Sequence, residues 1–269
     1  MPALWSRITP NWPFPSFPWE IPVRLLPAAL LALAVVAPLR ADDAAKALLD
    51  KAIKAQGGAE AAAKLTDIGL KAKGQVMEGN MTVEMSFDMS ISAFDRVRMG
   101  LSINEGGRTH RGMMVLNGDK AHFKDADTNR EENPPPEVVP TIQSVVLAVR
   151  APGTPAALLA AKNLTLTHGG EAKVDDTAAE VLRISRKDRP DVTLYFDKKT
   201  HLPLKAETSF KEGANDVALV FTYSDFKEFG GVKHFTKVKM TASDKITMDL
   251  ELTELKLGVK FEANTFEKP

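Results

Sequence analysis

From Met81 to Ser92 the chain alternates without a break. Met81, Val83, Met85, Phe87, Met89 and Ile91 are apolar, and Thr82, Glu84, Ser86, Asp88, Ser90 and Ser92 between them are polar or charged. A period of two is the period of a strand, and this contrast requires one dry face and one wet face. A helix would scatter the same residues around its whole circumference. Twelve such residues in a row make a long antiparallel strand the starting point for any fold of this chain.

The pattern continues through Val97, Met99, Leu101 and Ile103. Further strand candidates are 109–116, 120–124, 179–185, 192–197, 204–210, 217–226, 232–240 and 245–257. Turn signals separate them: Gly79-Asn80, Gly106-Gly107, Asn117-Gly118, Gly169-Gly170 and Gly230-Gly231, pairs that accept the positive φ of tight hairpins. In the last strand Ile246, Met248, Leu250 and Leu252 give way to Leu255 and Leu257. That change of phase predicts a bulge near Thr253-Glu254.

Two regions break the β pattern. Ala44–Gln56 reads as a helix with Ala45, Leu48, Leu49 and Ile53 on one face, ended by Gly57-Gly58, and a short helix over Ala59–Leu65 follows. After Pro134-Pro135-Pro136, Val138, Val139, Ile142, Val145, Val146 and Val149 recur at helical spacing, and a second apolar piece runs from Ala156 to Ala161. Residues 138–149 carry no charge, so this helix must bury most of its surface. The fold class predicted is mainly β (α+β): a single curved antiparallel sheet, an incomplete β-barrel of about eleven strands, with an N-terminal helix and an inserted helical lid across its concave face.

The N-terminus reads as an address. Residues 1–20 are proline-rich and contain Trp5, Trp12 and Trp19, and an apolar run of about 13 residues from Leu25 to Ala37 follows Arg7 and Arg24. That run matches a signal-peptide core and falls short of the roughly 20 residues that cross a bilayer. Ala41 at −1 and Leu39 at −3 place the expected cut after Ala41. Residues 1–41 are then leader and 42–269 a single exported domain, with no transmembrane span in the mature chain.

Composition removes whole classes of chemistry. With 35 basic and 35 acidic residues the chain is neutral, which argues against a nucleic-acid partner. Cysteine is absent, excluding disulfides, thiol catalysis and cysteine-ligated metals. His110, His122, His168, His201 and His234 lack metal-ligand spacing, and there is no G-x-S-x-G, P-loop or G-x-G-x-x-G. The acidic stretch Asp125, Asp127, Glu131 and Glu132 lacks the EF-hand spacing and reads as a solvated loop. Neither a cofactor nor a metal nor a catalytic residue is expected.

The methionines are more informative. Seven of the ten fall between Met77 and Met114. A flexible, polarizable side chain on the dry face of adjacent strands suits either an adaptable wall for acyl chains or an ordinary core.

Two segments then carry a resemblance. Leu194-Tyr195-Phe196-Asp197-Lys198-Lys199-Thr200-His201-Leu202-Pro203-Leu204-Lys205-Ala206 and the stretch from Tyr223-Ser224-Asp225-Phe226 through Gly230-Gly231-Val232-Lys233-His234-Phe235 resemble the LolA/LolB-like superfamily, as does the opening from Ala52 to Gly74. That superfamily includes periplasmic lipoprotein carriers and lipid-sensing domains of envelope regulators. The resemblance implies an incomplete antiparallel barrel whose helices cover an apolar cavity. It implies a periplasmic or otherwise exported, non-enzymatic protein of the bacterial cell envelope, binding a lipid or an acylated lipoprotein. The alternative it implies is an envelope sensor or scaffold that binds a protein partner through the same half-barrel. From alternation, the expected cavity lining is Val83, Met85, Phe87, Met89, Val97, Met99, Leu101, Val138, Ile142, Val146, Leu194, Phe196, Leu219 and Phe221.

Overall fold

The computed structural model describes residues 42–212, 215–242 and 246–268; the expected leader and its cut lie outside them. The alternating segments become thirteen strands: β1 (Asp67–Glu78), β2 (Met81–Ser92), β3 (Arg96–Glu105), β4 (Arg108–Asn117), β5 (Lys120–Asp125), β6 (Arg130–Glu132), β7 (Thr165–Val174), β8 (Thr177–Ser185), β9 (Val192–Asp197), β10 (Pro203–Glu212), β11 (Asn215–Phe229), β12 (Val232–Ala242) and β13 (Ile246–Leu257). They form one antiparallel sheet in the order β6-β5-β4-β3-β2-β1-β13-β12-β11-β10-β9-β8-β7. Two hairpin meanders, β1–β6 and β7–β13, are therefore joined at the centre by β1 and β13, which lie at opposite ends of the domain's sequence. The connection between the two outer strands, β6 and β7, carries the inserted helices.

The strand count exceeds the expected eleven because β1, β6 and β7 alternate weakly or briefly. β1 places Ala72 and Gly74 where a strong pattern would show large apolar residues. β6 is only Arg130-Glu131-Glu132. In β7 the pair Gly169-Gly170, expected as a hairpin turn, is instead an irregularity inside the strand: the register with β8 shifts between His168 and Glu171. A Cβ on Gly169 would sit 2.7 Å from Val181 Cγ1, so the position requires close approach rather than a turn. The bulge expected near Thr253-Glu254 is present. Lys71 faces Glu254 while Ala72 faces Leu252, and the skipped Thr253 donates its hydroxyl to the Lys71 carbonyl at 3.1 Å.

Helix α1 (Asp43–Ala55) starts where a side chain can take its first free N–H groups. Asp42 accepts from the Ala45 amide at 2.6 Å and, with its other oxygen, from the His168 amide of β7 at 2.9 Å. These backbone donors hold the Asp42 carboxyl below its ordinary pKa. The helix buries Ala45, Leu48, Leu49 and Ala52. Gly57, at φ +117°, turns the chain into α2 (Gly58–Ala63). A Cβ there would lie 2.1 Å from the Gly231 carbonyl in the β11–β12 turn. Gly57→Ala is therefore expected to destabilise the fold by about 1–3 kcal/mol, measured by urea denaturation. An unchanged midpoint would mean that the two turns can separate at no cost.

The insert holds α3 (Val139–Arg150), flanked by single 3-10 turns at Pro136–Val138 and Ala151–Gly153, and then α4 (Pro155–Ala160). All four helices pack on the apolar face of the sheet. One cluster sets Leu48, Leu49, Leu147 and Leu158 against Leu182, Leu194, Phe196 and Phe221. A second sets Ala61, Leu65, Val139 and Val146 against Ile68, Ile91, Val97 and Leu116. Full burial of one such leucine, valine or phenylalanine contributes about 1.5–3 kcal/mol, so in a domain without disulfides these two clusters hold the helices to the sheet.

Candidate ligand-binding face

The apolar face does not stop where the helices stop. Toward the β1–β2 and β3–β4 turns it continues as a third cluster: buried Met85, Leu101 and Ile103, ringed by half-buried Val76, Val83, Phe87, Met248 and Leu250. No described helical residue belongs to it. The strand register explains its continuity. Ile103, Met85, Gly74, Leu250 and Val238 face one another in turn across β3, β2, β1, β13 and β12. One step outward, Val83, Val76, Met248 and Met240 form a parallel row. Gly74 at the centre lets β13 come close, because a Cβ there would meet the Asp249 carbonyl at 1.8 Å. The strip runs to the rim at Met81, 38% exposed.

The fourteen residues expected to line a cavity divide among these clusters. Val83, Met85, Phe87 and Leu101 lie in the helix-free strip. Met89, Val97, Met99, Ile142 and Val146 lie in the cluster beneath α3. Leu194, Phe196, Leu219 and Phe221 lie in the cluster beneath α1 and α4. Val138 stands half-buried in the 3-10 turn that leads into α3. The strip also contains Val76, Met248 and Leu250, which the expected lining omits. Alternation in the last strand marks the latter two, but their position beside β1 rests on a pairing between the two ends of the domain.

No family model matches the chain, and no curated protein matches its sequence. Solved structures do match. A LolA superfamily protein from Nitrosomonas europaea superposes with a TM-score of 0.56 at 14% identity, covering 83% of this chain and 97% of that one. A DUF1329 family protein from Desulfovibrio piger gives 0.55 at 13% identity, with 84% and 98% covered. A putative outer membrane lipoprotein-sorting protein domain from Vibrio parahaemolyticus gives 0.53 at 14%, with 83% and 97% covered. The fold is LolA-like.

In this LolA-like fold the helical cover is tied down by buried polar groups. The Arg150 guanidinium, at the end of α3, donates from Nε to the Ala93 carbonyl at 2.8 Å and from Nη2 to the Leu65 and Thr66 carbonyls at 2.6 Å each. Burial lowers its pKa to about 10, which leaves it charged at neutral pH. Tyr223 of β11 donates its hydroxyl to the Ala148 carbonyl at 2.7 Å, and its complete burial pushes the phenol well above its ordinary range. Gln56 donates to the Pro152 carbonyl at 2.7 Å. Gln143 donates to the Gly118 carbonyl at 2.6 Å, and Ser144 to the Pro190 carbonyl at 3.0 Å. The α3 helix is thus held at its middle and at its C-terminal end.

The outer face of the same central strands forms an open groove of about 860 Å³. Its floor is a row of polar cross-strand neighbours: Asn104, Glu84, Gln75, Asp249, Lys239 and Thr222. Charges of both signs are interspersed around it, with Lys73, Lys237 and Lys239 beside Glu84, Asp249 and Glu251, as on a solvated sheet face. Met85 is the one expected lining residue that also borders this groove.

The histidines do not converge. The His122 ring meets the Asn133 side chain at 2.7 Å, His201 stands 3.8 Å from Glu180, and His234 is buried against Phe235. Among the described residues, no three His, Asp or Glu side chains gather to hold a metal ion. The acidic stretch, expected as a loop, is the β5–β6 hairpin: Asp125 accepts from the Asp127 and Thr128 amides of its turn at 2.9 Å each, while Glu131 and Glu132 of β6 pair with Lys268 and Arg130.

Proposed function

We propose that the protein is an exported, non-enzymatic carrier or chaperone-like component of the bacterial cell envelope, holding the acyl chains of a lipid or lipoprotein on its inner face. The observation that carries this reading is the helix-free apolar strip around Met85, Leu101 and Ile103, whose flanking residues Val76, Val83, Phe87, Met248 and Leu250 are only half-buried. Leaving such a strip wet has a free-energy cost that an acyl chain removes. Each buried CH₂ contributes about 0.8 kcal/mol, so a chain of ordinary length can be retained without chemistry. Methionines at Met85 and Met248 suit a ligand of variable shape. Export with cleavage after Ala41 makes Asp42 the first residue, and Asp42 is already anchored: its amide donates to the Leu166 carbonyl at 3.1 Å and its carboxylate caps α1.

Native mass spectrometry of the protein purified from its own envelope, with lipid extraction, tests both the export and the lipid binding. The expected spectrum shows a chain beginning at Asp42 with one lipid or acylated peptide bound. Met248→Glu is expected to weaken uptake of a fluorescent fatty acid about tenfold or more, because it sets a charge against the chain. A clean apoprotein that takes up no fatty acid would overturn the lipid reading and shift the weight to an apolar protein segment as the occupant.

A further inference from the structure

We propose that Arg186 and Arg189, in the loop between β8 and β9, form a binding site for a phosphate-type oxyanion. This loop belongs to one half of the sheet, yet it meets the other half. Arg189 Nη2 lies 2.7 Å from Asp119 Oδ1 in the β4–β5 turn, and Gln143 of α3 approaches the same oxygen at 3.3 Å. Ser144 of α3 holds the loop through the Pro190 carbonyl. The loop, the turn and the middle of the covering helix therefore converge on one spot.

The two guanidinium groups there are incompletely used. Arg186 Nε and Nη2 and Arg189 Nε are buried and have no hydrogen-bond partner. Nε and Nη2 of one arginine form the side-on edge that forks two oxygens of an anion. In Arg186 that edge is withdrawn from solvent and has no hydrogen-bond partner. Buried polar groups are nearly always satisfied, and a cationic donor left unpaired is the costliest exception. The carboxylates within electrostatic reach do not fill the gap. Asp119 is taken by Arg189 and Gln143, and Asp95 attracts Arg186 without hydrogen-bonding to it. Burial, reinforced by the positive charge of Arg189, depresses the Arg186 pKa. An added anion relieves the repulsion between the two.

The donor count favours phosphate over carboxylate. A carboxylate has two oxygens, enough for the Arg186 edge alone. A phosphate offers a third oxygen for Arg189 Nε while the first two occupy the fork. Free phosphate and a phospholipid headgroup present this same chemistry.

The test uses inorganic phosphate at constant ionic strength, balanced with sodium chloride. Phosphate is expected to raise the melting temperature of the wild-type protein and to bind saturably in a phosphorus NMR titration. Arg186→Met is expected to weaken that binding about tenfold or more. If Arg186→Met does not fold, Arg186→Lys keeps the charge, loses the fork, and is expected to lose most of the affinity. Retention on phosphatidylglycerol vesicles but not on phosphatidylcholine vesicles, competed by phosphate and lost in the Arg186 variant, would assign the headgroup. Phosphate binding without vesicle retention would assign the free anion. No saturable response in the wild type, or an equal response in the variants, would overturn the site. So would an Asp95→Asn variant that is destabilised while phosphate has no effect, since Asp95 would then be the missing partner.

Discussion

Arg150→Met is expected to lower the unfolding free energy by about 3 kcal/mol. One guanidinium gathers three backbone carbonyls from two places, the α2–β1 junction (Leu65, Thr66) and the β2–β3 turn (Ala93). Arg150 is 4% exposed, so water does not replace these bonds when the side chain is shortened. Hydrogen bonds from a charged donor are worth about 1.5–3 kcal/mol each, but their sum overstates the loss. Methionine no longer has a charge to bury, and Arg150 Nη1 is itself unpartnered in the native protein. The net loss corresponds to a fall in melting temperature of about 6–12 °C for a domain of this size. Arg150→Lys should recover only part of it, because an ammonium cannot span the three acceptors as a planar fork does. Equal stability of wild type and Arg150→Met in urea would mean that apolar packing alone docks α3.

The second large effect is a loss of stability in acid, traced to His234. Its ring is buried 4.1 Å from the Phe235 ring. Nδ1 lies 2.7 Å from the Phe235 carbonyl, so Nδ1 carries the proton of the neutral ring, because a carbonyl only accepts. On the other side Nε2 would lie 2.6 Å from a Cβ at position 153, a site that only glycine leaves open. Burial, reinforced by the nearby positive charge of Arg150, lowers the His234 pKa from 6.5 to about 4. The unfolded chain takes up a proton near pH 6.5 and the folded chain does so only near pH 4. Between those values the unfolded state holds more protons, so stability is fully present above pH 6.5 and declines as the pH falls to 4. The total decline is about 3 kcal/mol. Carboxylates with lowered pKa values, such as Asp42 and Asp119, add their own loss at the acid end. The decisive quantity is therefore the difference between wild type and His234→Gln, followed by urea denaturation from pH 7 to pH 4. The variant should show a flatter profile over that window. Parallel profiles would assign the acid sensitivity to the carboxylates instead.

Much of this molecule is legible in its residues because much of it is local. The period-two pattern of β2 and β3, the Asn117-Gly118 turn and the helix breaker at Gly57 each act over a few residues of chain. The phase break at Thr253 is also local, since a single skipped residue reverses which face each later side chain points to. The same local rules placed the expected lining residues of β2, β3, β9 and β11 on one face. They located the uncharged insert, because a helix with no polar side has to be covered.

Where pairing joins distant residues, alternation carries no address. β1 and β13 meet across nearly the whole domain, and small residues at Ala72 and Gly74 blur the β1 pattern; at Gly74 smallness is what admits β13. Gly169-Gly170 reads as a turn from composition but lies inside a strand: Gly169 is required by Val181 on the neighbouring strand, and Gly170 by a positive φ where the register shifts. The cover over the inner face was equally out of reach. Whether Val83 and Phe87 stay half-exposed while Val97 and Phe196 lie under helices depends on where α3 crosses the sheet. That crossing depends on Arg150 reaching carbonyls more than fifty residues before it in the chain. Side-chain periodicity thus decides the faces of the sheet, while the choice of what each face meets belongs to long-range packing and hydrogen bonding, which exist only once the chain has closed on itself.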